Sequence, residues 1–496
     1  MRIIQTVDLS PEKPLDYLDN LLVYNGLDCC LTYEILDKLL PQLIQATKAT
    51  YDFERELQGP ILEMNTRGIR IDEDRRQILL RQYREETFQV ADQLNRILRE
   101  GVGFEFEITA NRKHPWPSDA QLCKLFYDYM GIPAIYKLTD EGERRLTVDR
   151  KALEKIEGYF YAEPIVRHLY LLREHGKKIS FLNTAVDGDG RLRTSFSIAG
   201  TTTGRLASSF SDFGTGTNLQ NVENRLRAIF IADPGYKFGN IDLEQSDARA
   251  VGAIHWNLFR DARYLDLCES GDLHTGVSRI AFPTLKWTRD NSLDRVIAND
   301  KFYRDFSYRD ASKRLGHGSN YQGEPKTMSR ETHIPIGDIE RFQRNYIPNF
   351  AFIPWWEWVD QQIKSSAIIT AFTGRRRKFY GHPKDPETLR AAIAYEPQNV
   401  TADTIDEGLL DVWRGDRVQL LLQVHDSILF QYKEEEEDEI IPWALEQCER
   451  RRVLKSGREF VIPAEAKVGY NWSDDKNDPD ALKKWPEKEP RRRVRG

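Results

Sequence analysis

The stretch Tyr308-Arg-Asp-Ala-Ser-Lys-Arg-Leu-Gly-His-Gly-Ser-Asn-Tyr-Gln-Gly323 puts Arg309, Lys313, His317 and Tyr321 at every fourth position. At helical pitch such residues drift only about 40° per step and share one face. Two cations, then an imidazole, then an aromatic ring form a graded surface. The cationic end suits a triphosphate and the aromatic end a base or sugar. Gly316, Gly318 and Gly323 each cost up to ~1 kcal/mol relative to Ala if they lie inside the helix. That weakening fits close backbone approach or a hinge better than it fits a solvated basic face.

Phosphate chemistry on such a surface calls for carboxylates that hold divalent cations, and two segments can supply them. After the turn Pro234-Gly235, a short apolar run ends at Asp242, and the spacing then becomes helical, with Gln245 and Arg249 four apart. Most strand-ending Asp residues are helix N-caps, so Asp242 means little alone. In Val418–Phe430 two β-rich runs meet at His425-Asp426, with no Gly or Asn-Gly at the turn. Two carboxylates from separate strands can hold a pair of hard cations about 3.5–4 Å apart. A His-Asp pair that merely braces a hairpin is the plainer alternative. In Thr202–Ser209, Arg205 follows Gly204 among small hydroxyl residues. It could approach a phosphodiester backbone or a groove edge, or the segment could be a Gly turn with capping hydroxyls.

The elements that must position these groups follow from patterning. With 496 residues the chain has room for several domains at roughly 100–200 residues each. Residues 51–180 read as mostly helical, with Gly68–Asp72 and Ser118–Phe126 as turn or cap signals. Residues 186–236 turn rich in Gly and Thr, and their alternation suggests strands. Residues 256–384 are mainly helical again. A helix at 388–413, the apolar run Val418–Val424, a helix at about 436–452 and a strand at 460–464 follow, then a basic tail. The five Cys have no metal-ligand spacing and no disulfide framework, which suggests a reducing compartment. No apolar run approaches the ~20 residues of a membrane span, and Met1–Asp8 lacks a signal peptide's apolar core. A soluble intracellular protein is expected. The net charge of −6 argues only weakly against nucleic acid, because distribution matters more than the sum. Basic residues cluster at Arg191–Arg193, Arg309–Arg314, Arg375–Lys378 and Arg491–Arg495.

The motifs in order resemble those of the family A (DNA polymerase I-like) DNA polymerases, of a compact phage or bacterial type. Thr203-Gly-Arg-Leu-Ala-Ser-Ser with Asn218-Leu-Gln-Asn is similar to one family segment, and Asp242-Leu-Glu-Gln-Ser-Asp-Ala-Arg249 to its first catalytic motif. Gly271-Asp-Leu-His-Thr275, the Arg309–Tyr321 stretch, Thr373-Gly-Arg-Arg-Arg377, Arg390 to Gln398, His425-Asp426 and Gly469-Tyr-Asn-Trp472 complete the series. Tyr24-Asn-Gly-Leu-Asp28 resembles the last motif of the family's 3′–5′ exonuclease domain, most of which this chain would lack.

The resemblance implies an α/β (α+β) right-hand fold: an antiparallel-sheet palm at 186–255 and 386–475, helical fingers at 256–385 and a helical thumb at 46–185. Residues 1–45 would be the remnant of the exonuclease domain, and 476–496 the basic tail. It also implies template-directed addition of dNTPs to a primer 3′ end. Asp242 and Asp426, with the Leu243 carbonyl, would hold two Mg²⁺ ions, with Mn²⁺ as the alternative. Arg309, Lys313 and His274 would hold the triphosphate, and Lys313 would protonate the pyrophosphate. His317, Tyr321, Gln245 and Asp247 would complete the dNTP site. Arg205, Gln398, Arg390, His425, Asn221 and Arg249 would contact primer-template DNA. A monomeric, cytoplasmic polymerase chain without proofreading is expected, with either a lost exonuclease or a separate 3′–5′ exonuclease chain that docks near residues 1–45.

Four positions depart from the family pattern. Asp247 is one methylene shorter than the Glu that excludes a ribose 2′-hydroxyl, and His317 replaces a Phe or Tyr. Ser427 replaces the Glu after His-Asp, and Ala394 an Asn. Ser427 is the form used by single-subunit RNA polymerases, which are therefore the first rival. A non-catalytic DNA-binding scaffold is the second.

Overall fold

The apolar run ending in Asp242 is a strand, β1 (Tyr236–Leu243), at the middle of a five-stranded antiparallel sheet. The order is β2 (Gln419–Val424), β3 (Ser427–Lys433), β1, β4 (Ala464–Gly469) and β5 (Lys483–Lys484). The computed structural model describes residues 17–106, 116–139, 141–288 and 290–485. Expectations for residues 1–16 and 486–496, the Arg491–Arg495 cluster included, lie outside them. Strand alternation puts Ile241 and Leu243 on the buried face of β1 and sends Asp242 to the other face. Gly239 belongs to the buried face. The Phe430 ring of β3 fills the place of its side chain, 2.5 Å from where a Cβ would stand.

Ten helices matter for the site and its surroundings. They are α1 (Tyr17–Leu39), α2 (Gln45–Glu56), α3 (Gln58–Arg67), α4 (Glu73–Arg96), α5 (Glu163–Leu182), α6 (Ser246–Phe259), α7 (Leu273–Ala281), α8 (Tyr308–Asn320), α9 (Pro386–Arg414) and α10 (Glu437–Cys448). Several of their starts are chemically marked. Asp72 caps α4 by accepting from the Arg75 N–H, Ser307 and Asp310 form a capping box on α8, and Asp385 caps α9.

Three apolar cores result. One surrounds the sheet, with Phe238, Ile241, Leu422 and Phe430 packed against Leu409 of α9 and Ile441 of α10. The second joins α6, α7 and α8 to Phe342, Phe352 and Trp355. The third lies between α4 and α5, around Leu94, Phe126 and Leu169. None of the described helices is long and apolar enough to cross a membrane.

Two expectations are corrected. Strand content in 186–236 is confined to short pairs such as Ser195–Ser197 with Ala207–Ser209. The rest is loop and one short helix, Asn224–Arg227, with the loops held by side-chain bonds such as Ser208 Oγ to Asn218 Oδ1 at 2.7 Å. The strand expected at 460–464 is broken at Pro463, which has no N–H to offer a ladder. Before it, Glu459–Val461 pairs with Arg451–Val453, and β4 begins directly after it.

Candidate functional site

β1 carries Asp242 to its end, and Gln245, left-handed at φ 54°, turns the chain into α6. Gln245 occupies the N-cap position without a side-chain bond, so Asp242 is not spent as a cap. The second carboxylate stands at the two-residue turn between β2 and β3. There His425 adopts φ 58°, a conformation that Gly or Asn reaches at less cost. The Leu243 N–H donates to the Asp426 carbonyl at 3.1 Å, and Ser246 Oγ donates to Asp426 Oδ2 at 3.1 Å. Burial pushes the Asp242 carboxyl up to about 7, and the neighbouring Asp426 adds to it. Burial also raises Asp426, against the Ser246 hydrogen bond. Two enclosed carboxylates that repel one another are a donor set suited to a hard cation. No group of three or more His, Cys, Asp or Glu that could hold a metal occurs among the described residues. Ser427 does not add to the donor set, because its hydroxyl donates to the Val424 carbonyl at 2.9 Å and closes the hairpin.

A cavity of about 660 Å³ separates this wall from α8. Asp242, Gln245, Asp247 and Asp426 line one side, and His274, Lys313 and His317 the other. Arg309 is held back from it by Asp272, at 3.1 Å from both Nε and Nη2. Burial works to raise the Asp272 carboxyl, but hydrogen bonds from Arg309 and Thr275 outweigh it and hold the group at about 2. Burial, with the Arg309 and Lys313 charges, lowers His274 to about 4. His274 is thus neutral at pH 7 and can offer a hydrogen bond but no charge. Tyr321 stands at the very end of the α8 face. The helix ends at Asn320, and Tyr321 is its C-cap, edge-on to the His317 ring at 5.2 Å between centroids.

The residues expected to touch DNA divide. Arg205 reaches Asp247 Oδ1 at 3.4 Å, Gln398 is half-buried on α9, and Asn221 and His425 are exposed. Arg390 faces Glu324 at 3.4 Å. Arg249 is corrected: it is buried in α6 and donates to the Cys268 carbonyl at 3.1 Å, so it ties two helices together and offers nothing to a ligand. Three residues of two basic clusters are likewise paired inside the fold. Arg191 pairs with Asp233, Arg193 with Asp187 and Asp189, and Arg375 with Glu54 and Asp403.

Sequence reasoning missed the groups that hold the site in shape. Gln220 Nε2 donates to the Gln423 carbonyl at 3.2 Å, and Gln423 Nε2 donates to the His425 carbonyl at 2.7 Å. The Asn218–Asn221 segment thus braces the turn that carries Asp426. Thr401 Oγ1 donates to Asp247 Oδ1 at 2.8 Å. Only the proximity of Gln220 to Asn218 hinted at the first, and nothing in the sequence pointed to the second.

The chain is similar to known proteins over most of its length. The family model described as DNA polymerase family A matches residues 79–474. The thermostable DNA polymerase I of Thermus filiformis is 25% identical over 475 residues, which cover 90% of this chain and 51% of that protein. DNA polymerase I of Synechocystis sp. is 24% identical, over 91% of this chain and 45% of that protein. The chain therefore spans about half the length of the curated relatives it matches. The polymerase domain of Pol1 from M. smegmatis, solved in complex with DNA primer-template and dNTP, shares the fold with a TM-score of 0.64 and 23% identity, over 84% of this chain and 70% of that one. With the family model matched from α4 to just beyond β4, this chain belongs to the family A DNA polymerases.

Proposed function

We propose that the chain is a template-directed DNA polymerase that adds dNTPs to a primer 3′ end by phosphoryl transfer. The observation that carries this reading is the cavity, with Asp242 and Asp426 on one wall and Lys313 and His317 on the facing wall. Asp242, Asp426 and the Leu243 carbonyl would hold the metal, in this reading two Mg²⁺ ions with Mn²⁺ as the alternative. Such ions, when bound, make the 3′-hydroxyl a better nucleophile and stabilise the leaving oxygen. The chain's own residues do the rest. Lys313 and neutral His274 hold the triphosphate, with Arg309 shared from Asp272, and Lys313 hands a proton to the leaving pyrophosphate. His317 and Tyr321 bound the base, Gln245 and Asp247 border the sugar, and Arg205, Gln398, Asn221, Arg390 and His425 meet DNA.

In this reading the palm is 186–255 and 386–475, the fingers 256–385 and the thumb 46–185; the core between α4 and α5 supports a separate thumb, while Leu57–Tyr83 pack into the core around the sheet. On α1, Leu21, Leu22, Val23, Ile35 and Leu36 are exposed, which supports docking of a separate 3′–5′ exonuclease chain there. Co-purification of a nuclease tests that part. Primer extension with dNTPs and with rNTPs tests the main reading. A strong rNTP preference would favour the RNA polymerase rival, and a folded preparation that binds primed DNA without extending it would favour the scaffold.

A further inference from the structure

Arg205 is a cation that the protein holds only loosely. Its contact with Asp247 Oδ1 is 3.4 Å, well beyond the roughly 2.7–2.9 Å of a full charge-assisted bond. Its Nε is buried and has no hydrogen-bond partner among the described residues. The loop that carries it is nevertheless fixed. Asn399 Nδ2 donates to the Thr203 carbonyl at 3.0 Å, and Thr201 Oγ1 to the Arg205 carbonyl at 2.9 Å. Gly204, at φ 87°, has a backbone conformation that L side chains rarely adopt, and a Cβ there would stand 2.9 Å from the Arg375 guanidinium. A rigid loop thus presents a guanidinium that is two-thirds enclosed and weakly paired.

The reason lies on α9. Thr401 is buried and takes the same Asp247 oxygen at 2.8 Å. We propose that Thr401 is a positioning residue that keeps Arg205 available to DNA, by holding the Asp247 carboxylate away from a close pair with the guanidinium. This rests on the polymerase reading of the site. Without the hydroxyl, Asp247 has Arg205 as its remaining hydrogen-bond donor among the described residues, and the two opposite charges close to a full ion pair.

Binding of a primer-template duplex, measured without nucleotide, tests this. Thr401→Val should weaken binding about tenfold to a hundredfold, the worth of a hydrogen bond to a charged group. Thr401→Ser should bind like the wild type. Adding Asp247→Asn to Thr401→Val should restore affinity, since the neutral amide cannot capture the guanidinium. Arg205→Ala should weaken binding alone and gain nothing from Thr401→Val. Wild-type affinity in Thr401→Val, a loss that persists with Asp247→Asn, or an Arg205→Ala protein that binds normally would each overturn the proposal. A loss of fold would show as a lowered melting temperature that Asp247→Asn does not repair, and this too would overturn it. Extension by the wild type scores the polymerase reading separately.

Discussion

The Leu243 N–H donates to the Asp426 carbonyl at 3.1 Å, joining the strand that carries one carboxylate to the turn that carries the other. Sheet hydrogen bonding therefore helps to fix where Asp426 stands relative to Asp242. Replacing the Asp426 side chain leaves that backbone bond in place. Asp426→Ala should accordingly lower the extension rate by about 10³-fold or more, the loss of several kcal/mol of charge stabilisation. Duplex affinity should change less than about threefold. Single-turnover primer extension and an equilibrium binding titration check both, and wild-type-like extension would refute the assignment.

Lys313 faces the cavity and Arg309 is partly tied to Asp272, so the two cations are not equivalent. Lys313→Ala should raise KM for dNTP and lower kcat as well, since it both binds phosphate and gives up a proton. Steady-state extension across a dNTP series separates the two. A change in KM alone would sink the proton-donor role.

The Asp272–Arg309 pair makes stability depend on pH. The folded Asp272 carboxyl sits at about 2, below its ordinary 3.8, so its contribution is fully present above about 4 and is lost as pH falls towards 2. The group is partly solvated, and screening reduces the bare shift to about 1 kcal/mol. Asp272→Asn should melt below the wild type at pH 5 and approach it at pH 2.5. Equal gaps at both values would mean that the pair does not set this dependence.

How much of this was legible in sequence depends on the kind of residue. Asp242, Asp426, Lys313 and His317 stood out because strand alternation and helical spacing are local, and the structure puts all four on one cavity. Tyr321 shows what spacing leaves open: a four-residue step says nothing about where a helix stops, and Tyr321 is the C-cap of α8, its ring still against that of His317. Arg249 does fail, since a basic residue near a catalytic motif can as well be buried between helices. Gln220 and Thr401 act across gaps of 203 and 154 residues, which no local pattern encodes.

Glu396 gives the last prediction. It is buried on α9, one residue before Pro397, and its Oε1 accepts from the Phe372 N–H at 3.1 Å. Burial lifts its carboxyl to about 8 despite that bond, so it is largely protonated at pH 7. The unfolded chain gives up this proton near its ordinary value of 4.5. Between about 4.5 and 8 the folded state therefore holds the extra proton, and stability falls as pH rises through that window. Glu396→Gln keeps an acceptor for Phe372 and removes the titration. It should melt like the wild type at about pH 4.5 and several degrees above it at about pH 8.5, on the order of 3 kcal/mol. Melting curves for the two proteins at both pH values decide it, and a gap that does not widen with pH would mean that the carboxyl ionises in the fold as readily as in water.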